Sequence, residues 1–172
     1  MKQRYDAVCG LYCGACRVVQ CNETGTVDAI AREWGMKAED LVCHGCKSGV
    51  RAVFCRDCEF IQCAELKGVE HCADCDELPC AKLTAFRDDD APHHSAVVRN
   101  SEAMRELGVE RWLQMQRDRW SCPECGARSW WYLETCSSCG TTLRDARAEE
   151  AEPAIAEDAK RQLLSDLDET DA

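Results

Sequence analysis

Two stretches of the chain repeat hydrophobic residues at helical spacing. In the first stretch the apolar positions follow the order i, i+3, i+4 and i+7, at Val27, Ile30, Ala31 and Trp34. This spacing predicts an amphipathic helix with one apolar face. The expected N-cap is Thr24 or Thr26, and Gly35 is expected to end the helix.

The second stretch, residues 95–120, predicts two helical pieces that are broken at Gly108. Its expected buried residues are Val97, Met104, Leu107, Val109, Trp112, Leu113 and Met115. Pro92 lies in the polar linker before it and prevents one continuous helix from entering the stretch. The pattern favours a helical connector between two other parts of the chain.

Shorter patterns predict further elements. Short helices are expected in CAELKG from Cys63 and in CAKLTAF from Cys80, each with its cysteine in the first turn. Residues 130–133 (WWYL) and 141–143 (TTL) favour β-strands. The acidic segment beyond Arg147 has a short apolar stripe at Ile155, Ala159, Leu163, Leu164 and Leu167. It predicts a partly disordered tail, or a short amphipathic helix that docks on this protein or on a partner.

Composition indicates that these elements enclose little conventional core. The 172 residues include three Phe and three Tyr, and much of the 45% hydrophobic fraction consists of sixteen cysteines. Very small domains need disulfides or metal ions to offset the conformational entropy of the chain. The cysteines must therefore supply one of these two devices.

The spacing of the cysteines favours metal over disulfides. No apolar run precedes Cys9, and no stretch approaches the length of a membrane span, so a cytoplasmic protein is expected. Disulfides are rare in a reducing cytosol. Six of the cysteine pairs are C-x2-C, a spacing whose two thiolates can close onto a single ion. We therefore interpret all sixteen cysteines as metal ligands.

The N-terminal half contains three copies of C-x2-C-x4-C. They are Cys13, Cys16 and Cys21; Cys55, Cys58 and Cys63; and Cys72, Cys75 and Cys80. Each copy needs a fourth ligand, and Cys9 is available to the first. Cys43 and Cys46 either serve the other two copies or join Cys55 and Cys58 in one site. The second arrangement leaves a third site of Cys63, Cys72, Cys75 and Cys80, and a cross-braced arrangement is also open.

The C-terminal motif is C-x2-C-x10-C-x2-C. Its ligands are Cys122, Cys125, Cys136 and Cys139. Gly126 and Gly140 each follow a pair, where a tight turn around sulfur requires a positive φ. With the two expected strands, the motif predicts a zinc ribbon whose four thiolates form a closed, structural site.

These patterns together predict a small metal-stabilised α+β protein that holds about four zinc ions. Residues 1–87 form a cysteine-rich domain with several zinc ions and short helices, and the apolar face led by Trp34 is expected to cover its metal cluster. Residues 88–119 are linker and helical connector, and residues 120–145 are the β zinc ribbon. Residues 146–172 are the acidic tail.

The N-terminal motifs resemble a known family. CGLYCGAC at residues 9–16, CHGC at 43–46 and CRDCEFIQCAELKGVEHCADCDELPC at 55–80 are similar to a cysteine-rich bacterial and archaeal domain, domain-of-unknown-function family 3795. The resemblance extends over residues 5–86, and longer members of the family also carry a zinc-ribbon tail. It implies metal binding and brings no established activity.

Other chemistry is also compatible with these cysteines. Cys9, Cys13 and Cys16 form C-x3-C-x2-C, a spacing that also holds iron–sulfur clusters, so a cluster in the N-terminal domain is the alternative cofactor. His44 and His71 stand beside cysteines, where they could activate a thiol, orient ligands or replace one. No catalytic grouping or nucleotide-binding motif is visible, and a non-enzymatic role is expected.

The net charge of −11 opposes general binding to nucleic acids or membrane surfaces. A local exception surrounds Trp130, Trp131 and Tyr132, which could stack on bases. Nearby arginines are Arg117, Arg119, Arg128, Arg144 and Arg147. The main expectation is a non-catalytic interaction or scaffold module with a protein partner. The alternatives are an iron–sulfur or metal-handling redox protein, and nucleic-acid contact through the ribbon.

Overall fold

The computed structural model describes residues 4–151 and is mainly helical. Its α-helices are α1 (Arg17–Thr24), α2 (Val27–Trp34), α3 (Glu59–Lys67), α4 (Ala81–Arg87), α5 (Val97–Leu107), α6 (Val109–Arg119) and α7 (Ala146–Ala151). Short 3-10 helices lie at Cys13–Ala15, Ala38–Leu41, Val53–Cys55, Cys72–Asp74 and Pro92–His94. No helix within residues 4–151 combines the length and the apolar character needed to cross a bilayer.

The predicted α+β class with a C-terminal β zinc ribbon is wrong. Residues 4–151 contain isolated β-bridges but no β-strand or sheet. The expected strand at 130–133 turns back on itself, because Leu133 N donates to Trp130 O at 2.9 Å. Trp131 N donates to Ala15 O, and Ala146 N donates to Trp131 O at 2.7 Å. The backbone groups that a strand partner would need are therefore already used by other segments.

Helix α2 confirms the predicted bounds, and Gly35 ends it with a φ of 65°. Thr26 occupies the N-cap position, but its side chain makes no capping hydrogen bond. Ile30 and Ala31 are buried, whereas Trp34 is 42% exposed. The expectation that Trp34 leads the buried face is therefore wrong, because the last residue of the helix lies beyond the core. Ile30 and Ala31 form that face and share a cluster with Cys43. That the face covers a metal site stays a prediction.

Of the two short helices predicted around cysteines, α4 is confirmed, with Cys80 at its N-cap. The other was misplaced. Helix α3 begins directly after Cys58 and already includes Cys63 in its middle. Cys58, rather than Cys63, therefore stands at the start of that helix.

Helices α5 and α6 confirm the predicted break, since Gly108 separates them with a φ of 78°. The predicted core residues Val97, Met104, Trp112 and Leu113 are buried; Leu107, Val109 and Met115 are partly buried. The N-terminal loop lies tightly on α5. A Cβ at Gly10, whose φ is 85°, would meet Ser101 Oγ and Val97 O at 2.7 Å.

Three hydrophobic clusters connect these elements. The central one includes Tyr12, Ala15, Ala73, Ala103, Met104, Trp112, Leu113, Trp120 and Ala146. A second cluster surrounds Phe60 and Leu83, and a third surrounds Val18, Ile30 and Leu41. The predicted domain boundaries at 87, 119 and 145 stay a prediction. The apolar stripe between Ile155 and Leu167 lies outside the described residues.

Candidate metal centre

The C-terminal cysteines lie in two turns with the same backbone geometry. In the first turn, Cys122 N donates to Ala127 O at 2.8 Å, and Gly126 N donates to Cys122 O at 2.9 Å. The second turn repeats both bonds at the same distances, from Cys136 N to Thr141 O and from Gly140 N to Cys136 O. The glycines have φ values of 72° and 77°, so the predicted positive φ at both positions is confirmed.

These turns bring four sulfur atoms together. The Sγ atoms of Cys122, Cys125, Cys136 and Cys139 all lie within 4.8 Å of one another. Cys122 and Cys139 are 3.5 Å apart, and Cys125 and Cys136 are 3.6 Å apart. Tetrahedral zinc with Zn–S bonds of about 2.3 Å separates its sulfur ligands by about 3.8 Å. The cluster, hereafter the C-terminal cluster, could hold one metal ion with only small adjustments.

Hydrogen bonds shift the pKa values of the thiols in the C-terminal cluster in opposite directions. The hydroxyl and backbone of Thr141 lower the pKa of Cys139 to about 6. Amide groups of Ser138 and Cys139 lower the pKa of Cys136. The Ala127 amide lowers the pKa of Cys125, but the thiols of Cys139 and Cys136 outweigh it and raise the value to about 12. The turn hydrogen bonds thus favour the thiolate at Cys136 and Cys139, which is the form that binds metal.

The segment that carries the C-terminal cluster packs directly on the N-terminal cysteine loop. Gln20 Nε2, in α1, donates to Gly14 O at 2.8 Å and to Ser129 O at 2.7 Å. Trp131 N donates to Ala15 O at 3.2 Å. The bonds from Gln20 to Ser129 and from Trp131 to Ala15 join residues that are more than a hundred positions apart in the sequence. The two cysteine-rich regions are therefore in contact.

The N-terminal cysteines are less tightly gathered. They are Cys9, Cys13, Cys16, Cys21, Cys43, Cys46, Cys55, Cys58, Cys63, Cys72, Cys75 and Cys80, all of them free thiols. Within residues 4–151, three or more potential ligand atoms lie within 4.8 Å of one another in the C-terminal cluster and in the group Asp6, Glu70 and His71. The twelve N-terminal thiols form no group that close, but each lies near other thiols.

One set of neighbours surrounds the loop that carries Cys9. Burial raises the pKa of Cys9 well above its usual value, and thiolates at Cys46, Cys58 and Cys72 raise it further. Burial likewise raises the pKa of Cys13, for which Cys46 is the first thiolate neighbour. Cys9 is buried in the hydrophobic cluster around Phe60, and Cys13, Cys46 and Cys58 pack against it; Cys13 also contacts the cluster of α1 and α2.

A second set lies beside α1 and α2. Burial raises the pKa of Cys16 to about 11, against backbone hydrogen bonds that lower it, and thiolates at Cys43 and Cys21 contribute to the rise. Burial raises the pKa of Cys55 to about 12, with Cys43 and Cys16 as its first thiolate neighbours. Cys43 is buried in the hydrophobic cluster of α1 and α2, and Cys16 and Cys21 pack against that cluster.

A third set lines a cavity of about 220 Å³ between α3 and α4. The thiols at this cavity are Cys63, Cys72, Cys75 and Cys80. Burial raises the pKa of Cys72 to about 12, with thiolates at Cys80, Cys63 and Cys75 contributing. Lys67 Nζ lies 3.5 Å from Cys75 Sγ and could stabilise a thiolate there. This set matches one arrangement that the sequence left open.

Sequence reasoning missed a buried charge network beside these cysteines. Asp6 is 3% exposed, and its Oδ2 lies 3.0 Å from His71 Nε2, 2.8 Å from Lys47 Nζ and 2.5 Å from Arg4 Nη2. Burial raises the pKa of Asp6, but the bonds from His71, Arg4 and Lys47 outweigh it and hold the pKa well below its usual range. Arg4 and Lys47 thus already neutralise the Asp6 carboxylate, so these residues form a structural network rather than a site for a bound cation.

His71 belongs to this network, so its ring is directed at carboxylates. Its Nδ1 also lies 3.3 Å from Asp74 Oδ2, and its Nε2 contacts Lys47. Asp6 and Glu70 are distant in sequence, and no spacing pattern connects them. The position of His71 next to Cys72 was the one signal available, and it indicated ligand orientation rather than a charge network.

The aromatic residues near the C-terminal cluster are occupied by internal contacts. Trp131 stacks on His93 with ring centroids 4.0 Å apart, and both Trp131 and Tyr132 pack against the central hydrophobic cluster. Arg17 lies 5.0 Å over the ring of Trp130. These rings are partly buried. Nucleic-acid contact through them stays a prediction.

Comparison with known proteins adds a family for the N-terminal half. No curated protein and no solved structure matches the chain. The N-terminal resemblance is confirmed, whereas the zinc-ribbon tail is not part of the match. Residues 5–85 match the family described as Protein of unknown function (DUF3795).

Proposed function

We propose that this chain is a zinc-binding, non-catalytic interaction or scaffold module whose folded surfaces are held in place by about four zinc ions. The C-terminal cluster carries the proposal, because its four sulfur atoms lie within 4.8 Å of one another. Two matching turns present them with spacings close to those of a tetrahedral ion. The three N-terminal sets supply twelve further thiols for the remaining ions.

A structural role follows from the number of ligands. Four thiolates complete the coordination of zinc and leave no position for water or substrate. The proposed function is therefore to hold surfaces for a protein partner rather than to catalyse a reaction. A reducing compartment such as the cytoplasm belongs to the proposal, since thiolate ligands must stay unoxidised. All sixteen cysteines are free thiols, as this proposal requires.

Metal analysis of the full chain, purified without oxygen, tests the proposal. We expect about four zinc ions per chain and no visible absorbance. Iron with sulfide and a broad absorption band at about 400 nm would show that the N-terminal region holds an iron–sulfur cluster instead of zinc. A chain that neither contains metal nor takes it up would overturn metal binding altogether.

A pair of variants tests the site that carries the proposal. Cys136→Ser removes a buried ligand of the C-terminal cluster. Ser138→Ala changes an exposed side chain in the same turn and keeps every thiol. We expect native mass spectrometry to show one ion fewer in Cys136→Ser and no loss in Ser138→Ala. An unchanged ion count in Cys136→Ser would exclude this cluster as a site.

A further inference from the structure

We infer that two C-x2-C pairs of the N-terminal region are each divided between two zinc ions, so that Cys43 shares one ion with Cys55 and Cys46 shares another with Cys58. The inference rests on the proposed function, because it assigns ligands to the proposed ions. The first group is Cys9, Cys13, Cys46 and Cys58. The second is Cys16, Cys21, Cys43 and Cys55. The third group consists of four successive cysteines of the sequence, Cys63, Cys72, Cys75 and Cys80.

Cys43 is fixed to the first helix. Its backbone N–H donates to Asn22 Oδ1 at 3.2 Å, and Asn22 Nδ2 donates to Leu41 O at 2.8 Å. Asn22 belongs to α1, directly after Cys21. The Cys43 side chain is buried in the cluster that also contains Val18. This thiol therefore lies on the side of α1 and α2, with Cys16 and Cys21.

Cys46 is fixed to a different part of the molecule, although it follows Cys43 by three residues. Its Sγ accepts a hydrogen bond from Val8 N at 3.3 Å. The next residue, Lys47, forms an ion pair with buried Asp6 at 2.8 Å. Both anchors belong to the segment that leads into Cys9. Cys46 also packs against the cluster around Phe60 rather than the cluster of α1 and α2.

The second pair is divided in the same way. Cys58, at the start of α3, packs against the cluster that contains Cys9. Cys55 N donates to Ala52 O at 2.8 Å, and Ala52 is buried in the same cluster as Cys43. One member of each C-x2-C pair thus faces the Cys9 loop, and the other faces α1.

The C-terminal cluster shows what an undivided pair looks like. There, the first amide of each pair donates within its own turn, from Cys122 N to Ala127 O. At the N-terminal pair, the corresponding amide of Cys43 donates to Asn22 instead, and His44 N donates to Val50 O at 2.9 Å. The C-x2-C motif therefore adopts two different backbone geometries in this chain. Spacing alone assigns both thiols to one ion only in the first geometry.

Cadmium NMR on the intact chain tests the division directly. In protein loaded with cadmium-113, correlation spectra link each ion to the β-protons of its cysteine ligands. We expect Cys43 and Cys55 on one ion, and Cys46 and Cys58 on another. Correlation of Cys43 and Cys46 to the same ion would overturn the inference while leaving metal binding intact. Failure of the wild-type chain to bind any cadmium or zinc would overturn the proposed function as well.

Ion counts of double variants give a second, independent test. Cys43→Ser with Cys55→Ser should remove one ion, because both thiols belong to one group. Cys43→Ser with Cys46→Ser should remove two. If Cys43, Cys46, Cys55 and Cys58 instead formed one undivided site, each double variant would lose one ion. If the undivided pairs lay in different sites, the first variant would lose two ions and the second would lose one. Loss of a single ion in the second variant would therefore overturn the division in either case. Cys122→Ser with Cys139→Ser is the matched control and should lose one ion.

Discussion

The two cysteine-rich regions contain the same C-x2-C motif but bring its thiols together in different ways. In the C-terminal cluster all four thiols come from two adjacent turns, and each turn is closed by its own backbone hydrogen bonds. The N-terminal thiols come from loops and helices between residues 9 and 80, and neighbouring thiols are brought together by helix packing. Spacing predicts a site well where the turn itself builds the site. It fails where distant elements must meet.

The regions also differ in what supports them. The N-terminal thiols lie beside three buried features: the cluster of α1 and α2, the cluster around Phe60, and the Asp6 charge network. The C-terminal cluster lies at the surface, where Cys125 and Cys139 are exposed. It is joined to the rest by the bonds of Gln20 and Trp131. Disturbing each support in turn therefore tests the comparison.

The largest effect is expected from complete removal of metal. Structural zinc contributes about 10–16 kcal/mol per site in small domains, which rivals the roughly 5–15 kcal/mol stability of a whole domain. The segment between Arg119 and Ala146 carries no helix, so the helical circular dichroism signal reports on the remainder. We expect strong chelation to abolish most of that signal and added zinc to restore it. A signal unchanged after verified metal removal would show that helix packing alone maintains the N-terminal region.

The sequence predicted the helices better than it predicted the contacts between them. The spacing from Val27 to Trp34 and the glycine at 108 gave correct helix limits, because helix periodicity and glycine breaks are local properties. The strand predicted for the β-prone residues 130–133 is absent, because rings of this segment pack on the central cluster and its amides bond to loops. Local propensity was overridden by tertiary contacts.

The candidate sites divide along the same line. The grouping of the four C-terminal thiols and the positive φ of both glycines could be predicted from C-x2-C and the residue after it. The neighbours of Cys43 and Cys46 did not follow, because they depend on Asn22 and Val8, which belong to other elements. Asp6 was missed for the same reason, since its partners Lys47 and His71 are distant in sequence.

Asp6→Asn tests the support that is specific to the N-terminal region. The change leaves Lys47 and His71 without their buried carboxylate, and breaking a buried ion pair in this way costs about 3–5 kcal/mol. The pKa of Asp6 is depressed, so its stabilisation is complete above the unfolded value of about 3.9 and is lost as the pH falls below it. Urea unfolding of the metal-loaded protein at about pH 7 measures the full loss.

Asp90→Asn is the matched control, because Asp90 is exposed. We expect it to change the free energy of unfolding by less than about 0.5 kcal/mol. If Asp6→Asn were no more destabilising than this control, the buried network would not support the N-terminal region.

Gln20→Ala tests the junction between the two regions. It removes both bonds of Nε2 and leaves the carbonyls of Gly14 and Ser129 without this donor, at a cost of about 2 kcal/mol. We expect faster hydrogen exchange at the Trp131 amide, which bonds to Ala15 in the same junction. Gln62→Ala, at an exposed position in α3, should leave that exchange unchanged. Equal exchange in both variants would show that the regions are held together by other contacts.

The smallest effect is expected at His93, which stacks on Trp131 and lies 2.5 Å from the Tyr132 hydroxyl through its Nδ1. Burial and the neighbouring His94 lower the pKa of His93 to about 3, against the opposing charge of Asp89. In the unfolded chain the His93 imidazole binds a proton with a pKa of about 6.5, whereas in the folded chain it stays neutral at that pH. Stability is therefore complete above about pH 6.5 and is lost progressively as the pH falls toward 3.

His93→Phe keeps a ring against Trp131 and removes the proton-binding group. Between about pH 7 and pH 5.5, we expect the variant to lose about 1 kcal/mol less unfolding free energy than the wild type. Both proteins must carry the same number of ions at each pH, because thiolate ligands also bind protons. If the two proteins lost stability in parallel, the acid response would come from the metal sites, and the junction between the two regions would be insensitive to pH.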